Sequence, residues 1–358
     1  METSRVLVIN PGSTSTKIAV YQNLTPLFLK NINHSYEVLK QYNKITDQYE
    51  FRRSIIIKEL EHAEIEISSI SIIIGRGGLI KPIESGIYEV NEQMCKDLKE
   101  GYLGEHASNL GGLIAYDLAK ALPGTKALIA DPVVVDELQD VARIAGHPIF
   151  TRYSIFHALN QKAIARNYAR SHDKKYEELN IIVAHLGGGI SVGAHCKGRV
   201  IDVNNALDGE GPFSPERSGT IPSGQLVNLC YSNKYSKDEV KKMILGEGGL
   251  VAYLGTNDAY KIELRVKAGD KEASKIQDAM SYQVGKIIGE MAAVLKGEVD
   301  AILLTGGIAN NQQVTDYIKL MVKFIAPVIV YPGEDEMKAL AENAIRVIKG
   351  DVIPKEYR

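Results

Sequence analysis

Apolar residues along the chain form short continuous runs, typical of buried strands, and longer stretches with helical spacing. When the sequence is shifted by 175 positions, Val6–Val20 aligns with Ile181–His195. Both stretches are predicted as a strand, a glycine-containing turn and a second strand, and a third β-like segment follows each of them, at Leu27–Ile32 and Arg199–Val203. The pattern therefore predicts a duplicated domain that opens with three strands.

After each opening, helical and strand patterns alternate, which is typical of α/β layers with crossover connections. An apolar stripe at helical spacing predicts one long helix, and we interpret the stripe as core; its residues are Ile276, Met280, Val284, Ile287, Met291, Val294 and Leu295. The other predicted helices are 91–100, 109–121, 311–324 and 334–348, and the other predicted strands are 72–74, 127–130, 301–304 and 327–330. We predict an N-terminal domain over 1–150 and a second domain over 151–333, joined without a low-complexity linker.

The composition and charge of the chain limit the classes of molecule that it can bind. The chain has 358 residues, and its 42 basic and 44 acidic residues give a formal net charge of -2 with no basic tract. This excludes a nucleic-acid-binding surface or an anionic-membrane patch as the main function. No apolar run approaches the length of a membrane span, and three cysteines without a Cys-x-x-Cys pair suit a reducing compartment. We expect a cytoplasmic enzyme with two domains.

The first turn carries residues suited to an anion. In "VLVINPGSTSTKIAVY" two apolar runs flank a turn that contains Gly12, Ser13, Ser15, Thr16 and Lys17. Backbone N–H groups, hydroxyls and one cation can surround a phosphate. A Walker motif is excluded because Thr16 stands where the second glycine is required and no helical pattern follows. The turn is interpreted as a phosphate-holding hairpin, with a plain Ser/Thr-rich surface turn as the alternative.

Two further glycine turns follow predicted strands. "AHLGGGISVG" places His185 before three consecutive glycines, and "LLTGGIANN" leads from a strand into a helix with Asn310 or Asn311 near its cap. Either turn alone is equally well explained by a tight connection. Three such turns at strand ends favour a ligand site, because ligands in open α/β sheets bind beyond the strand ends.

Four other side chains stand in settings that allow chemistry. Arg76 is bracketed by glycines in "IIIGRGGLI", and Arg217 lies in the Pro/Gly/Ser loop "PFSPERSGTIPSG". A guanidinium among small residues can present its fork to carboxylate or phosphate oxygens, although each could also be a surface arginine. Asp131 in "LIADPVV" ends a strand and could hold a magnesium ion or fasten the next turn. His157 is predicted on an amphipathic helix, where a core or interface role is the default.

Seven motifs in this order resemble those of the butyrate kinases, relatives of acetate kinase in the superfamily of acetate and sugar kinases, heat-shock ATPases and actin. They are "INPGSTSTK", "GRGG", "DPVVVDEL", "TRYSIFHALNQKA", "VAHLGGGISVGAH", "ERSGTIPSG" and "LLTGGIAN". The resemblance extends from residue 6 to about residue 345. It implies duplicated βββαβαβα domains of the ribonuclease H-like, actin-like ATPase type, which face each other across a cleft, with a final helix in 334–358 packing back on the first domain.

The resemblance also implies an ATP site with Mg²⁺. Asn10, Ser13, Ser15 and Lys17 would form the first phosphate loop, and His185 with Gly187, Gly188 and Gly189 the second. The adenosine loop would be Gly306, Gly307, Ile308 and Asn310. For the metal, the resemblance implies Asn10 and a late acidic residue, for which "YPGEDEM" offers Glu334, Asp335 and Glu336; Asp335 and Glu336 are the candidates we select.

The implied catalytic residues are matched to the acid and the transferring phosphoryl group. Arg76 and Arg217 match the arginines that hold the carboxylate and the phosphoryl group; Asp131 and His157 match an acidic residue and a histidine of the acetate kinase site; His106 matches another histidine. Relatives are homo-oligomers, so we expect a homo-oligomer.

The expected reaction is phosphoryl transfer from ATP to the carboxylate of a short-chain fatty acid. Bulky residues follow the matching arginine in acetate kinases, whereas Gly77 and Gly78 stand here, so we expect room for butyrate or a branched acid. Alternatives are an acetate or propionate kinase and an actin-like or regulatory ATPase without an acyl acceptor. A sugar kinase is disfavoured because no aspartate base can be placed.

Overall fold

In the computed structural model, residues 4–358 are described, and they form two compact units. The first unit contains residues up to Val135 together with Asp335–Arg358, and the second contains Asp136–Glu334. The first unit is therefore discontinuous in sequence. The final segment of the chain belongs to the same unit as the first strands.

The described chain contains two sheets with flanking helices. The strands are β1 (Arg5–Pro11), β2 (Ser15–Gln22), β3 (Thr25–Asn33), β4 (Ile70–Arg76), β5 (Ile87–Glu89), β6 (Lys126–Ala130), β7 (Asn180–Leu186), β8 (Ile190–Cys196), β9 (Arg199–Val203), β10 (Ala301–Gly306), β11 (Val328–Pro332) and β12 (Lys355–Glu356). The helices are α1 (Tyr36–Leu39), α2 (Tyr49–His62), α3 (Glu92–Glu100), α4 (Asn109–Lys120), α5 (Ala158–Ser171), α6 (Ser223–Cys230), α7 (Lys237–Ile244), α8 (Gly249–Leu254), α9 (Ala259–Lys267), α10 (Lys271–Val294), α11 (Gln312–Val322) and α12 (Glu336–Ile348). Short 3₁₀ turns lie at Ile45–Gln48, Ile67–Ser69, Asp140–Arg143, Tyr176–Glu178 and Gly307–Asn310. No helix within residues 4–358 has the length and apolar character that crossing a bilayer requires.

The two sheets repeat one topology. In the first unit the strand order is β12-β5-β6-β4-β1-β2-β3, and in the second it is β11-β10-β7-β8-β9. In both, three antiparallel strands lead into parallel strands: β1 pairs with β2 and β4 as β7 pairs with β8 and β10. β1 and β7 share the 175-residue offset that aligned the two sequence stretches. The predicted α/β fold with a duplicated three-stranded opening is confirmed.

The first sheet is covered by helices that bury alternate residues of its strands. Leu7 and Ile9 belong to a core cluster with Ile56 of α2 and Leu110 of α4. Because side chains alternate along a strand, Asn10 points to the other face of the sheet. α12 packs against β1, β2, β4 and β6. This helix brings its first residue, Glu336, to the carboxyl end of β1.

The second sheet has its core along the predicted long helix. α10 spans 24 residues, and Met280, Val284 and Met291 of its stripe are buried together with Leu295, which follows it. These side chains share one cluster with Ile182 of β7, among others. The interpretation of the stripe as core is confirmed.

Gly77 and Gly78 pack against protein. A Cβ atom at Gly78 would lie 2.4 Å from Asn109 Oδ1 and 2.6 Å from its Cα, and one at Gly77 would lie 2.6 Å from Pro132 Cβ. The expectation that these glycines leave room for additional methylene groups is wrong, because the volume next to both Cα atoms is filled. The small size of Gly78 lets the chain lie against the start of α4, and that of Gly77 lets it lie against Pro132.

We expect Gly78→Val to lower the free energy of unfolding by about 3 kcal/mol, because the added side chain would collide with the α4 backbone. Urea denaturation measures the loss. Gly224→Val is the matched control, since nothing lies within 4 Å of a Cβ at that position in α6. Equal stability of the two variants would contradict the packing role of Gly78.

Candidate active site

The loop predicted to hold phosphate is the turn of a hairpin. β1 and β2 are antiparallel, and Asn10 pairs with Lys17 in their register. Residues directly opposite one another in such a pair project from the same face. Ser13 and Lys17 are exposed, whereas Asn10 is buried. The prediction of a hairpin rather than a strand-to-helix Walker turn is confirmed.

Asn10, Arg76 and Glu336 form one polar cluster in the first unit. Asn10 Nδ2 donates to Glu336 Oε2 at 2.8 Å, and Arg76 Nη1 lies 3.1 Å from the same oxygen. The Arg76 nitrogen is also 3.5 Å from Asn10 Oδ1. β1, β4 and the start of α12 each supply one member. The cluster joins residues that are 326 positions apart in sequence.

The three acidic candidates in "YPGEDEM" have different contacts. Asp335 is the N-cap of α12, and its Oδ1 accepts from Lys338 N at 2.9 Å. Glu334 belongs to the second unit, where its Oε2 lies 3.4 Å from His185 Nε2. Of the three, Glu336 is the one that contacts Asn10 and Arg76. Its position favours Glu336 over Asp335 as the carboxylate on the metal side.

This donor set fits a magnesium ion held mainly by phosphate. Asn10 Oδ1 and the Glu336 carboxylate are hard oxygen donors, as Mg²⁺ prefers. Within residues 4–358 there is no group of three or more His, Cys, Asp and Glu side chains able to hold a metal. Mg²⁺ usually keeps several waters and binds through one or two carboxylates together with substrate phosphates. Two oxygen donors beside a phosphate loop are consistent with that mode.

A buried arginine that the sequence reasoning missed lies beneath the first loop. Arg52 of α2 is fully buried, and its Nη1 donates to Gly12 O, Ser15 O and Thr16 Oγ1 at 2.8–2.9 Å. Its Nη2 donates to Ser13 O at 3.3 Å. A sequence signal existed, because Arg52 shares a helix face with buried Ile56 and Leu60, at the spacing of i, i+4 and i+8.

His34 completes this network as a neutral ring. Its Nε2 lies 2.8 Å from the Thr16 hydroxyl, which is fully buried and accepts from Arg52. Arg52 can only donate, so the Thr16 proton is available to His34 Nε2. Burial, reinforced by the charge of Arg52, lowers the pKa of His34 from 6.5 to about 4.

We expect this histidine to make the protein less stable as the pH falls from 6.5 towards 4. The unfolded chain takes up the proton near pH 6.5, whereas the folded chain resists it until about pH 4. At pH 4.5 the loss is about 2 kcal/mol relative to pH 7. Thermal unfolding at both pH values should show a smaller decrease for His34→Gln than for the wild type. Equal decreases would contradict the assignment.

Asp131 and His106 form hydrogen bonds within the first unit, Asp131 across the sequence and His106 locally. Asp131 is buried with φ 38°, and its Oδ1 accepts from Ser85 Oγ at 2.6 Å and from Gly86 N at 2.9 Å. His106 Nδ1 lies 2.8 Å from Ser108 Oγ, just before α4. These contacts of Asp131 go to the segment before β5 and not to the turn that follows Asp131.

In the second unit, two glycine turns lie side by side. β7 and β10 are parallel, with His185 opposite Thr305, so their carboxyl ends meet at one edge of the sheet. Gly187–Gly189 follow β7, and Gly306 ends β10. Asn311, not Asn310, caps α11, and its side chain accepts from Gln313 N and Val314 N. The side chain of Ile308 is buried in the core.

Arg217 lies directly on the glycine run. A Cβ atom at Gly189 would stand 1.9 Å from Arg217 Nη1, so only glycine fits beneath this guanidinium. Ser214 Oγ donates to Gly188 O at 2.7 Å, which fastens the two loops together. Arg217 Nη1 donates to Ala206 O at 2.5 Å. The structure thus unites two motifs that are separate in sequence.

The side chain of Arg217 is half-buried and incompletely paired. Within residues 4–358, its Nε is one of two buried side-chain polar atoms without a hydrogen-bond partner. Burial lowers the pKa of Arg217, and the neighbouring Glu216 raises it. A buried N–H donor without an acceptor favours an anionic ligand at this position.

His157 and His185 stack on each other, with ring centroids 3.8 Å apart. His185 Nδ1 lies 2.9 Å from Asn160 Oδ1, and His157 Nδ1 lies 2.8 Å from Ser191 Oγ. The prediction of His157 on a helix is wrong, because α5 begins at Ala158. The sequence reasoning also missed Asn160 and Ser191. Ser191 could have been found, since it aligns with buried Thr16 at the 175-residue offset.

Comparisons with known proteins agree with these features. The model of the acetokinase family matches residues 142–327. The chain is 56% identical over 354 residues to butyrate kinase 2 of Clostridium acetobutylicum, covering 99% of both chains. Among solved structures, it resembles Porphyromonas gingivalis acetate kinase, with a TM-score of 0.76, 19% identity and coverage of 96% of this chain and 100% of that one. It also resembles a propionate kinase of Francisella tularensis, with a TM-score of 0.72, 20% identity and coverage of 95% and 98%. The fold is that of these kinases, and the chain belongs to the acetokinase family.

Proposed function

We propose that the protein is a butyrate kinase, which transfers the γ-phosphoryl group of ATP reversibly to the carboxylate of butyrate. The observation that carries this function is the 56% identity to butyrate kinase 2 over nearly the whole of both chains. The Asn10–Arg76–Glu336 cluster and the Arg217–Gly189 contact support it chemically.

This reaction needs no general base. A fatty-acid carboxyl group resembles a glutamate side chain, with a pKa of about 4.3, so at neutral pH the nucleophile is already an anion. The first loop begins with Asn10. An amide at this position can bind metal or phosphate without adding a negative charge. The remaining obstacle is repulsion between the carboxylate and the triphosphate.

We propose that positively charged side chains offset the repulsion between the carboxylate and the triphosphate. Lys17 is placed on the nucleotide phosphates, Arg76 on the acid, and Arg217 on the transferring phosphoryl group. His185, held through Nδ1 by Asn160, would donate from Nε2 to a phosphoryl oxygen only when that nitrogen carries a proton. Asn10 and Glu336 would hold Mg²⁺, which neutralises phosphate charge when bound. His157 supports the ring of His185 by stacking.

The remaining predicted residues complete the nucleotide site. Ser13, Ser15 and Gly187–Gly189 are proposed to contact phosphates, and Gly306, Gly307, Ile308 and Asn310 to contact adenosine through backbone atoms and the Asn310 amide. We propose that the domain predicted at 1–150 carries Ser13 and Ser15. The domain predicted at 151–333 would carry Gly187–Gly189 and the adenosine loop. A cytoplasmic location and a homo-oligomeric state are proposed from the cysteine pattern and the family resemblance.

A hydroxylamine trap for acyl phosphate tests the proposal. The protein is incubated with ATP, Mg²⁺ and straight or branched acids of two to five carbons, and the hydroxamate is measured. We expect the highest kcat/KM for butyrate or a branched acid and loss of activity with EDTA. A higher kcat/KM for acetate or propionate would show that one of these acids, and not butyrate, is the preferred substrate. ATP hydrolysis without stimulation by any acid would overturn the kinase proposal.

A further inference from the structure

We infer that Arg52 is a positioning residue for phosphoryl transfer, since it holds the first phosphate loop with its carbonyls turned inward and leaves the amides of Ser13 and Thr14 available to phosphate. The inference rests on the proposed function for the identity of the ligand. Arg52 would touch neither nucleotide nor acid in this role. It would act through the loop of residues 12–16.

The orientation of the loop follows from its hydrogen bonds. Arg52 binds the carbonyl oxygens of Gly12, Ser13 and Ser15, and His34 N donates to Thr14 O at 2.8 Å. Four consecutive carbonyls are therefore held by donors of the protein. In a planar trans peptide the N–H points opposite to the C=O. The amides of Ser13 and Thr14 accordingly point away from Arg52.

Those two amides are suited to an anion. Both residues are exposed, and in the part of the chain that the structure covers neither amide donates to a protein acceptor. Successive outward N–H groups in a turn form an anion-binding concavity. The hydroxyls of Ser13 and Thr14 lie on this turn, and Lys17 follows it in β2.

Arg52 also places a buried positive charge below this concavity. Its hydrogen-bond partners are neutral oxygens of the loop and Gln48 Oε1, which accepts from Nε at 3.0 Å and from Nη2 at 2.8 Å. Among residues 4–358 no carboxylate forms an ion pair with it. Burial lowers the pKa of Arg52 to about 10, so it stays charged at neutral pH. A bound phosphate would supply the missing opposite charge.

The second unit places a side-chain amide, not an arginine, at the corresponding hydroxyl of its hairpin. Ser191 aligns with Thr16, and its hydroxyl contacts His157 Nδ1 and Gln161 Nε2, both at 2.8 Å. A neutral amide thus takes the place that Arg52 takes in the first unit. An amide donor is therefore sufficient at this hydroxyl in the second unit. Arg52 differs from it in bringing a positive charge and in binding three carbonyls of the first loop.

The test compares Arg52→Ala with Arg53→Ala in the full-length enzyme. Arg53 is the next residue of α2, and it pairs with Asp117 at the surface. For Arg52→Ala we expect KM for ATP to rise at least tenfold, kcat to fall about tenfold and KM for butyrate to change less than twofold. Guanidinium chloride at low millimolar concentration should restore at least a fifth of the lost kcat/KM for ATP. Arg53→Ala should match the wild type and show no rescue.

A second variant and a binding measurement complete the test of Arg52. Gln48→Leu leaves the charge but removes the side-chain acceptor that orients it, and we expect a three- to tenfold rise in KM for ATP with wild-type circular dichroism. If Arg52→Ala fails to fold, this variant decides, and a wild-type KM for ATP would overturn the inference. A lower kcat with both KM values unchanged and no rescue would indicate a merely structural role. ADP binding measured by calorimetry separates the two proposals: acyl phosphate formation can fail in the wild type while weaker ADP binding by Arg52→Ala still supports the inference.

Discussion

Arg217→Ala is expected to lower kcat about 10³-fold, as loss of a cation that acts on transition-state charge does in phosphoryl transfer. Arg217 is half-buried, its guanidinium lies over Gly189, and its buried Nε has no hydrogen-bond partner among residues 4–358. Its preorganised N–H groups would meet the charge that spreads over the transferring phosphoryl oxygens. Hydroxamate formation with ATP and butyrate measures kcat, and KM for ATP is expected to change less than tenfold.

Two further variants separate charge from packing at Arg217. Arg217→Met keeps most of the volume over Gly189 but removes the charge, so it should lose as much activity as the alanine variant. Arg265→Ala removes an arginine that pairs with Asp270 at the surface of the same unit, and it should retain wild-type turnover. Near-normal turnover of folded Arg217→Met would sink the proposed role.

Arg76→Ala is expected to lower kcat/KM for butyrate about 10³-fold, because the acid loses its charged partner. Arg76 also binds the Glu336 oxygen that accepts from Asn10. Without Arg76, no guanidinium competes with Mg²⁺ for the Glu336 oxygen, so the apparent affinity for Mg²⁺ should rise or stay unchanged. A titration of activity with Mg²⁺ at saturating ATP measures that response.

Arg76→Lys distinguishes geometry from charge. A lysine keeps the positive charge but lacks the planar fork that binds a carboxylate through two parallel hydrogen bonds. We expect recovery of part of the lost kcat/KM, with KM for butyrate still raised. Full recovery would show that charge alone is sufficient. An unchanged KM for butyrate in the alanine variant would contradict contact between Arg76 and the acid.

The sequence was sufficient for features that depend on periodicity. The apolar stripe of α10 and the apolar run of β10 could be predicted from the sequence. Buried residues repeat every three to four positions in the helix and are continuous along the strand. The duplicated openings were visible because a strand, a tight turn and a second strand leave the same apolar pattern in both units. Long-range pairing follows from these elements by general rules of α/β topology.

The sequence could not predict the environment of a side chain where several neighbouring residues have the same chemistry. Glu334, Asp335 and Glu336 are locally equivalent acids, and only the start of α12 shows that one caps the helix while another reaches Asn10. Gly78 suggested an open pocket because a missing side chain does not show what fills the space. Arg52 escaped notice because charged residues surround the apolar positions of α2.

The discontinuity of the first unit has a consequence for synthesis on the ribosome. Domains generally fold as units from the N-terminal side as the chain emerges. Here the strands that carry Asn10 and Arg76 emerge early, yet their companion helix α12 and edge strand β12 emerge only after the whole second unit. A nascent chain that has not reached residue 336 can contain every other proposed catalytic group and still lack the Glu336 carboxylate. Catalytic competence is therefore expected only after the second unit has been synthesised.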